Sequence, residues 1–563
     1  MNPHHITATR LFTWLALSAS TGTLAQVNPA AAPASLPQGL EKSIEQSLQQ
    51  SQPARLKPLA ALDVLGLESN QSIDKLLGVQ VEHPDYRDAV QRYWALRIGQ
   101  PVDASALQDF RGWLFAESRL RGYLSYADTQ VQASAGGSTL VVRVVEPKLQ
   151  AVRVTSSSDD AMQRYGKLVV ERLAQDFKTG QPVDTLGLDQ RLVSASEDLP
   201  LELEATIRAV GPNEVDLIVQ MRDLVHKAGR AKDSLVQLNN HGLRQYGRAQ
   251  ALASTVIEGL DPRSSLSLVG LKSQGITYGR AEYDAATYGS RRHWSVWASG
   301  SNSRNILGGA ATTLGSSTEV GVGVSQIDGG WRDYVYRGRV ELMTRRSSSK
   351  LELTGQEITK VHDTQYRMRI SADNEKTTEA SSRAEYLFVV GEYSRLDGIS
   401  SVDTGPYGKV EFNLRHQRAL DLQRQWVGSI KLRGQLSFSR LDSYNQMVLG
   451  GVNGVRAYTS VDGLGDNGGL LNLEINRRLS SGQSVGAFYD GGLIRLSSPQ
   501  ASEPQRRYSL QALGTQVSGQ TLGGLYNVSL AKGIGGYAGW NAYNTETKPN
   551  NWRLNVAMTW FVQ

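Results

Sequence analysis

The chain has no cysteine in 563 residues, which removes disulfides, thiolate metal sites and cysteine nucleophiles together. Its eight histidines are scattered. Two of them, His4 and His5, fall in a leader segment, while His83, His226, His241, His293, His362 and His416 show no metal-ligand spacing such as H-x-x-x-H. The net charge of +6 is small for this length and gives no argument for nucleic acid. No P-loop is present, so ATP hydrolysis is not expected. No segment approaches the ~20 apolar residues that a transmembrane helix requires. No metal, cofactor or catalytic group is therefore expected.

The N-terminus carries an address. A weakly cationic stretch to Arg10 leads into a short apolar run from Leu11 to Leu17, then small residues, then Thr23-Leu24-Ala25 before Gln26. This reads as a secretory signal peptide over residues 1–25. No cysteine lies near the junction, which excludes a lipid-anchored lipoprotein. An exported chain without a membrane-spanning helix is periplasmic, secreted, or a β-barrel in an outer membrane. Fifty-six glycines and a mean hydropathy of −0.34 suit a large antiparallel β structure.

Residues 231–563 carry the β signal. In Glu319-Val320-Gly321-Val322-Gly323-Val324 the valines share one face and the other face holds only small or polar atoms. Leu471, Leu473 and Ile475 likewise oppose Asn472 and Glu474. Ser265 to Gly270 and Trp294 to Ala298 alternate too. Such segments, separated by Gly, Asn, Asp and Ser turns, match a transmembrane barrel, although a soluble sandwich alternates in the same way. At ~20 residues per strand plus turn, with ~10 spanning, the region accommodates about sixteen strands. Tyr278, Trp294, Trp297, Tyr334, Tyr336, Trp426, Tyr537 and Trp540 are expected in interfacial girdles. A closing strand from Asn551 to Phe561 ends on Trp560-Phe561, with Val562 and Gln563 beyond it.

The front of the chain is different. Residues 26–55 hold an Ala/Pro-rich linker and then Leu36, Leu40, Ile44 and Leu48, recurring every four residues on an otherwise polar helix. Such a helix could dock on a neighbour, pair in a coiled coil, or sit inside a water-lined pore. Two small α+β units follow, at residues 56–148 and 149–230. The first is expected to hold a helix from Ser105 to Tyr123 and a strand from Leu140 to Val145. The second has helices from Met162 to Phe177 and around Leu188 to Ser196, then a strand with Val215, Leu217, Val219 and Met221 on one face. A small sheet with an exposed edge accepts an extended guest by backbone pairing, which suits an unfolded client; the plainer alternative is a spacer.

Two catalytic spellings are rejected on context. Gly482-Gln483-Ser484-Val485-Gly486 matches G-x-S-x-G, but a nucleophile elbow needs a helix after the turn, and a strand is expected here. Gly463 to Gly468 spells G-x-G-x-x-G with no helix to receive a pyrophosphate.

The most informative stretch runs from Leu449 to Leu493. It sets Arg456 in a Gly-rich loop 34 residues before Asp490 on a strand. An arginine fork matches a carboxylate bidentately and can orient a long loop within a polar cavity. An exposed pair would instead contribute at most ~1 kcal/mol. Val455-Arg456-Ala457-Tyr458, preceded by Leu449-Gly450-Gly451, resembles the V-R-G-Y/F loop signature of two-partner secretion outer-membrane transporters. Phe488-Tyr489-Asp490-Gly491-Gly492 resembles that family's F-x-D-x-G strand motif, with Phe488, Asp490 and Gly492 at the key places. Leu238-Asn239-Asn240-His241-Gly242 with Tyr246-Gly247-Arg248 resembles the first-barrel-strand phrase, with Asn239 where Asp is common.

The resemblance implies a mixed fold: two periplasmic POTRA domains, then a barrel of about sixteen antiparallel strands, with residues near 36 to 52 as a plug helix. It implies that Arg456 bonds Asp490 in the lumen. It further implies an outer-membrane pore, one chain per pore, that exports a large partner with an N-terminal secretion domain: an adhesin, a haemolysin or a contact-dependent toxin. The partners expected are that protein and outer-membrane lipid. Two alternatives stand beside it, a barrel-assembly factor of the same superfamily and a passive porin. Ala457 departs from the usual glycine, and alanine reaches positive φ only at a cost, so a differently shaped loop tip is expected.

Overall fold

The computed structural model describes residues 72–562 apart from 122, 184–187, 212, 225–228, 230, 308–311, 332–333, 375–379, 398–400, 422–424, 443, 498–506, 536–546 and 549. The expected signal peptide and the stripe of Leu36, Leu40, Ile44 and Leu48 lie outside the described residues, as do Tyr537 and Trp540.

Two small units with the same topology come first. In one, β1 (Leu76–Val81), α1 (Pro84–Trp94), α2 (Ala104–Arg121), β2 (Tyr126–Ser134) and β3 (Gly137–Val145) build a sheet of order β1-β3-β2, with β1 parallel to β3. In the other, β4 (Lys148–Ser156), α3 (Asp159–Asp176), α4 (Leu188–Ser196), β5 (Leu201–Gly211) and β6 (Glu214–Asp223) repeat that order as β4-β6-β5. Local chemistry starts the helices. Pro84 opens α1, where a missing N–H costs nothing. The Asp103 carboxylate accepts from Ala106 N at 2.8 Å ahead of α2, and Ser158 Oγ accepts from Ala161 N at 3.3 Å to cap α3. Each unit has its own core. Tyr86, Trp94 and Phe110 fill the first, and Leu173, Leu217 and Val219 the second.

The remaining chain closes a barrel. Its first strands are β7 (Ala231–Asn239), β8 (Gln250–Glu258), β9 (Ser264–Ser273), β10 (Ile276–Thr287) and β11 (Arg292–Arg304). Five long strands follow: β12 (Thr313–Trp331), β13 (Tyr334–Leu351), β14 (Glu357–Asp373), β15 (Ala380–Asp397) and β16 (Ser401–Ala419). After β17 (Trp426–Ser437), a loop holds the two-residue strands β18 (Met447–Val448) and β19 (Leu464–Gly465). The barrel resumes with β20 (Asn467–Arg478), β21 (Ser484–Arg495), β22 (Arg507–Thr521), β23 (Gly524–Gly533) and β24 (Trp552–Val562). Sixteen strands form the closed wall, and β24 pairs antiparallel with β7. Val562 pairs with Ser234, so it extends the closing strand by one residue past Phe561.

Side-chain alternation sorts the two faces. Val320, Val322 and Val324 are 52%, 52% and 51% exposed on the outside, while Glu319 on the opposite face is 4% exposed. The lumen is charged with both signs, as in the pairs Arg280–Glu282 at 2.9 Å, Arg339–Glu341 at 2.6 Å and Lys409–Glu411 at 2.6 Å. Two expected girdle residues are corrected by this parity. Tyr278 and Trp297 are buried, and Trp297 Nε1 donates to Glu319 Oε1 at 3.0 Å within the lumen. Trp294 and Trp426 do face outward. Among the described residues no helix is long and apolar enough to cross a membrane.

The second α+β unit is gripped by the barrel end nearest to it. Arg263, in the β8–β9 turn, donates to the carbonyls of Ser196, Leu199 and Leu201 at 3.0, 2.7 and 2.6 Å. Asp198 is buried between the two bodies. It takes a two-point contact from Arg172, at 2.6 and 3.1 Å, and accepts from the Arg291 amide at 2.7 Å. Burial pushes its carboxyl up, but the Arg172 guanidinium and the Arg291 amide hold it below the ordinary carboxylate range. A depressed folded pKa adds stability that is present above the unfolded value and lost as pH falls through the folded one. The helical circular-dichroism signal of the full chain is therefore expected to melt at a constant temperature down to mildly acidic pH and to drop only below the usual carboxylate range. Asp198→Asn should remove about 3 kcal/mol or more at neutral pH and flatten that acidic limb; an unchanged limb would mean that this carboxylate does not couple the unit to the barrel.

Candidate functional site

The loop between β17 and β20, residues 438–466, turns back into the lumen. Gly450 to Tyr458 form a compact knot: Gly450 bridges Val455, Gly451 N donates to Tyr458 O at 2.9 Å, and Val455 N donates to Leu449 O at 2.7 Å. Glycine is required at 450 and 454, because a Cβ there would lie 2.0 Å from the Thr459 and Leu449 carbonyl oxygens. Ala457 is different. It is fully buried and is not among the non-glycine residues of positive φ, so the expected cost of its methyl group does not arise.

Both motifs meet inside the barrel. Arg456 Nη2 donates to Asp490 Oδ1 at 2.7 Å and Nε to Oδ2 at 2.9 Å, and the Arg456 backbone amide donates to Oδ2 at 3.1 Å. The arginine is 7% exposed and the aspartate 0%. The remaining terminal nitrogen, Nη1, reaches Glu474 at 2.9 Å and Gln516 Oε1 at 3.0 Å. The guanidinium carbon sits 3.4 Å from the Phe488 ring centroid. Asn472 Nδ2 donates to Asp490 Oδ1 at 2.8 Å, and Asn555 Nδ2 on β24 donates to the Arg456 carbonyl at 3.1 Å. Every strong donor or acceptor of the pair is thus met within the wall of β20, β21, β22 and β24.

The other motif positions shape this seat. Val455, Ala457 and Tyr458 join Leu449, Leu470, Phe488 and Leu510 in one apolar cluster. A Cβ on Gly492 would lie 2.7 Å from Leu449 Cδ2, so this glycine leaves room for the loop's leucine. Tyr458 lies against Gly533 of β23 in the same manner. The rejected spellings fall where their context required: Ser484 opens strand β21 after the hairpin turn, and Gly463 to Gly468 lead into β19 and β20.

A second clasp was not anticipated. Arg345 on β13, fully buried, reaches Asp363 at 3.3 Å and Asp442 of the loop at 3.2 Å, and its guanidinium carbon lies 3.1 Å from the Tyr444 ring centroid. Tyr444 OH donates to Glu319 Oε2 at 3.0 Å. Asn445 Nδ2 donates to Asp363 and Asp442 at 3.0 and 2.7 Å, while Lys409 Nζ donates to the Asn445 carbonyl at 2.9 Å. Nothing in Leu441-Asp442-Ser443-Tyr444-Asn445 signals these contacts, because their partners stand about 35 to 125 residues earlier. The partners of Arg456 were half visible, since Asn472 and Glu474 occupy the polar face of an alternating strand. Among the described residues no group of three or more His, Asp or Glu is placed to hold a metal.

Residues 284–521 match the family described as haemolysin secretion/activation protein ShlB/FhaC/HecB. That stretch, less than half of the chain, is similar to the family. A search of curated protein sequences returns no match. Among solved structures, CdiB from Escherichia coli aligns over 95% of this chain and 99% of that one, at 17% identity and a TM-score of 0.56. CdiB from Acinetobacter baumannii aligns over 95% and 100%, at 15% identity and a TM-score of 0.54. These likenesses concern the fold.

The energetics of the loop's clasp are testable. Arg456→Ala leaves Asp490 buried without its cation and should cost about 3–5 kcal/mol. Arg456→Lys keeps the charge but loses the fork, so it should recover only part of that loss. Midpoints of the heat-induced mobility shift of the barrel, in a double-mutant cycle with Asp490→Asn, measure the coupling; additive losses would show that the two residues do not act as a pair. Asp442→Asn should separately loosen the loop at its other wall, seen as faster proteolysis within residues 438–466.

Proposed function

We propose that the chain is an outer-membrane pore that recognises and exports one large partner protein, without ATP, from periplasm to cell surface or medium. The observation carrying this reading is the two-point contact of Arg456 with Asp490, which fixes a chain-crossing loop in a lumen lined with charges of both signs. A charged, wet lumen suits an extended polypeptide, whose backbone finds hydrogen-bond partners there throughout transit.

In this reading residues 1–25 are the signal peptide, 26–55 the linker and plug helix, 56–148 and 149–230 two POTRA domains in the periplasm, and 231–563 the barrel. The three-stranded sheets of the two units expose edge strands, and these would receive the partner's extended N-terminal secretion domain by strand addition. The helix carrying Leu36, Leu40, Ile44 and Leu48 would occupy the pore at rest. With no nucleotide in the periplasm, folding of the partner outside would bias the direction of export. The partner would be an adhesin, a haemolysin or a contact-dependent toxin, and one chain would form one pore.

Deleting this chain and, separately, a partner candidate encoded beside it tests the reading. One large protein should vanish from the surface and medium and accumulate or degrade in the periplasm when this chain is absent. A joint fall of many outer-membrane proteins would instead make it an assembly factor. Arg456→Ala is expected to lower secretion about tenfold or more, the factor that ~1.4 kcal/mol corresponds to, with the helical circular-dichroism signal unchanged. Secretion at the wild-type level would remove the loop arginine from the mechanism.

A further inference from the structure

Strands β12 to β16 run for 17 to 19 residues each, whereas ~9–11 tilted residues span a bilayer. On β13 and β14 the stretches beyond the apolar belt, residues 344–351 and 357–364, lie at the end of the barrel opposite the α+β units, because Arg337 at the start of β13 stands 3.8 Å from Glu197 of the second unit. On the outward face of β13 and β14, just beyond the exposed apolar Val340, Leu342, Tyr366, Met368 and Ile370, the side chains turn basic. Arg346, Lys350, Lys360 and His362 are all exposed there.

Register brings these basic side chains together. Arg346 stands opposite His362, Ser348 opposite Lys360, and Lys350 opposite Glu357. Opposed residues on one sheet face lie about 5 Å apart and diagonal ones about 8 Å, so Arg346, Lys360 and His362 converge on an area the size of one phosphate group. On β12 Thr318 stands beside Arg346, and on β15 Ser394 stands beside His362 and Leu396 beside Lys360. Thr344 Oγ1 lies 3.0 Å from His362 Nε2 on the same face. Outward carboxylates stand at the edges, Glu357 opposite Lys350 and Glu392 opposite Thr364. Clustered like charges on a sheet destabilise it unless an anion is supplied. At the other end of the belt the same two faces carry Tyr336, Gly338 and Ala372, with no cation.

We propose that this patch binds the phosphate groups of an anionic lipid in the outer leaflet. The inference rests on the reading of the barrel as membrane-embedded, with the α+β units on the periplasmic side. The apolar belt below would pack the acyl chains while Arg346 and Lys360 meet the headgroup at the boundary.

The test uses the full chain in detergent, titrated with lipid A as a bis-phosphorylated glycolipid, with its dephosphorylated form, and with inorganic phosphate. Each basic side chain near a membrane surface is worth about fivefold in affinity, so R346S/K350S/K360S should bind lipid A about a hundredfold more weakly than wild type. Wild-type binding should weaken as salt rises, and the dephosphorylated lipid should bind both proteins at the level of the variant. Equal lipid A affinity of the two proteins, or equal affinity of the wild type for both lipids, overturns the proposal. Displacement of lipid A by equimolar inorganic phosphate would also overturn it, by making the site one for a free anion. The substituted side chains are exposed, and the heat-induced mobility shift verifies a closed barrel in each sample. Fractionation of the wild type away from the outer membrane would sink the underlying membrane reading instead, whatever the titration gives.

Discussion

Burying Arg456 against Asp490 is the constraint on which the inner architecture depends. A guanidinium and a carboxylate removed from bulk water each carry a desolvation cost of several kcal/mol, and the pair persists only where the remaining donors and lone pairs are also met. Here they are met by Glu474 and Gln516 on one side and by Asn472 and the loop's own amide on the other. Four wall strands must therefore hold fixed register for the loop to seat. The glycines follow from the same demand, since Gly450 and Gly454 let the knot close tightly enough to present the arginine, and Gly492 admits Leu449 beside it.

The pair alone would hold only one end of the loop. Asp442, Tyr444 and Asn445 fasten the other end to β12, β13, β14 and β16 through Glu319, Arg345, Asp363 and Lys409. The loop is thus a strut across the lumen, joined to opposite walls by polar networks rather than by apolar contact alone. Polar joints suit a pore, because water can replace each hydrogen bond when the loop moves, whereas a purely apolar seat would leave an exposed patch in the channel.

Much of this was legible in the chain, for reasons that differ by element. Strand count followed from length, but the division was uneven: an average of ~20 residues per strand and turn conceals 19-residue strands such as β12 and β16 joined by short turns. The helices Asp159–Asp176 and Leu188–Ser196 matched their apolar spacing closely. Parity was in the sequence and went unused for the aromatics. Trp294 and Trp297 are three residues apart on one strand, and an odd separation puts them on opposite faces, so both could not belong to a girdle. The Arg456–Asp490 contact was visible because two local motifs marked it. The Asp442 clasp was invisible because its partners lie on strands whose position relative to the loop is fixed only by barrel closure.

Barrel closure has the fewest register pairs among the described wall strands, and the strut bears on it. Strands β15 and β16 share eighteen register pairs, while β24 and β7 share six, from Ala557–Asn239 to Val562–Ser234. A short seam in a closed sheet is where edges are most easily exposed. Asn555, one turn of the pleat before that seam on β24, donates to the carbonyl of Arg456 itself. The residue that takes the loop to Asp490 therefore also holds the last strand from inside. Any motion that withdraws the loop backbone at Arg456 releases Asn555 as well, so the position of the loop and the tightness of the seam are coupled through that backbone oxygen.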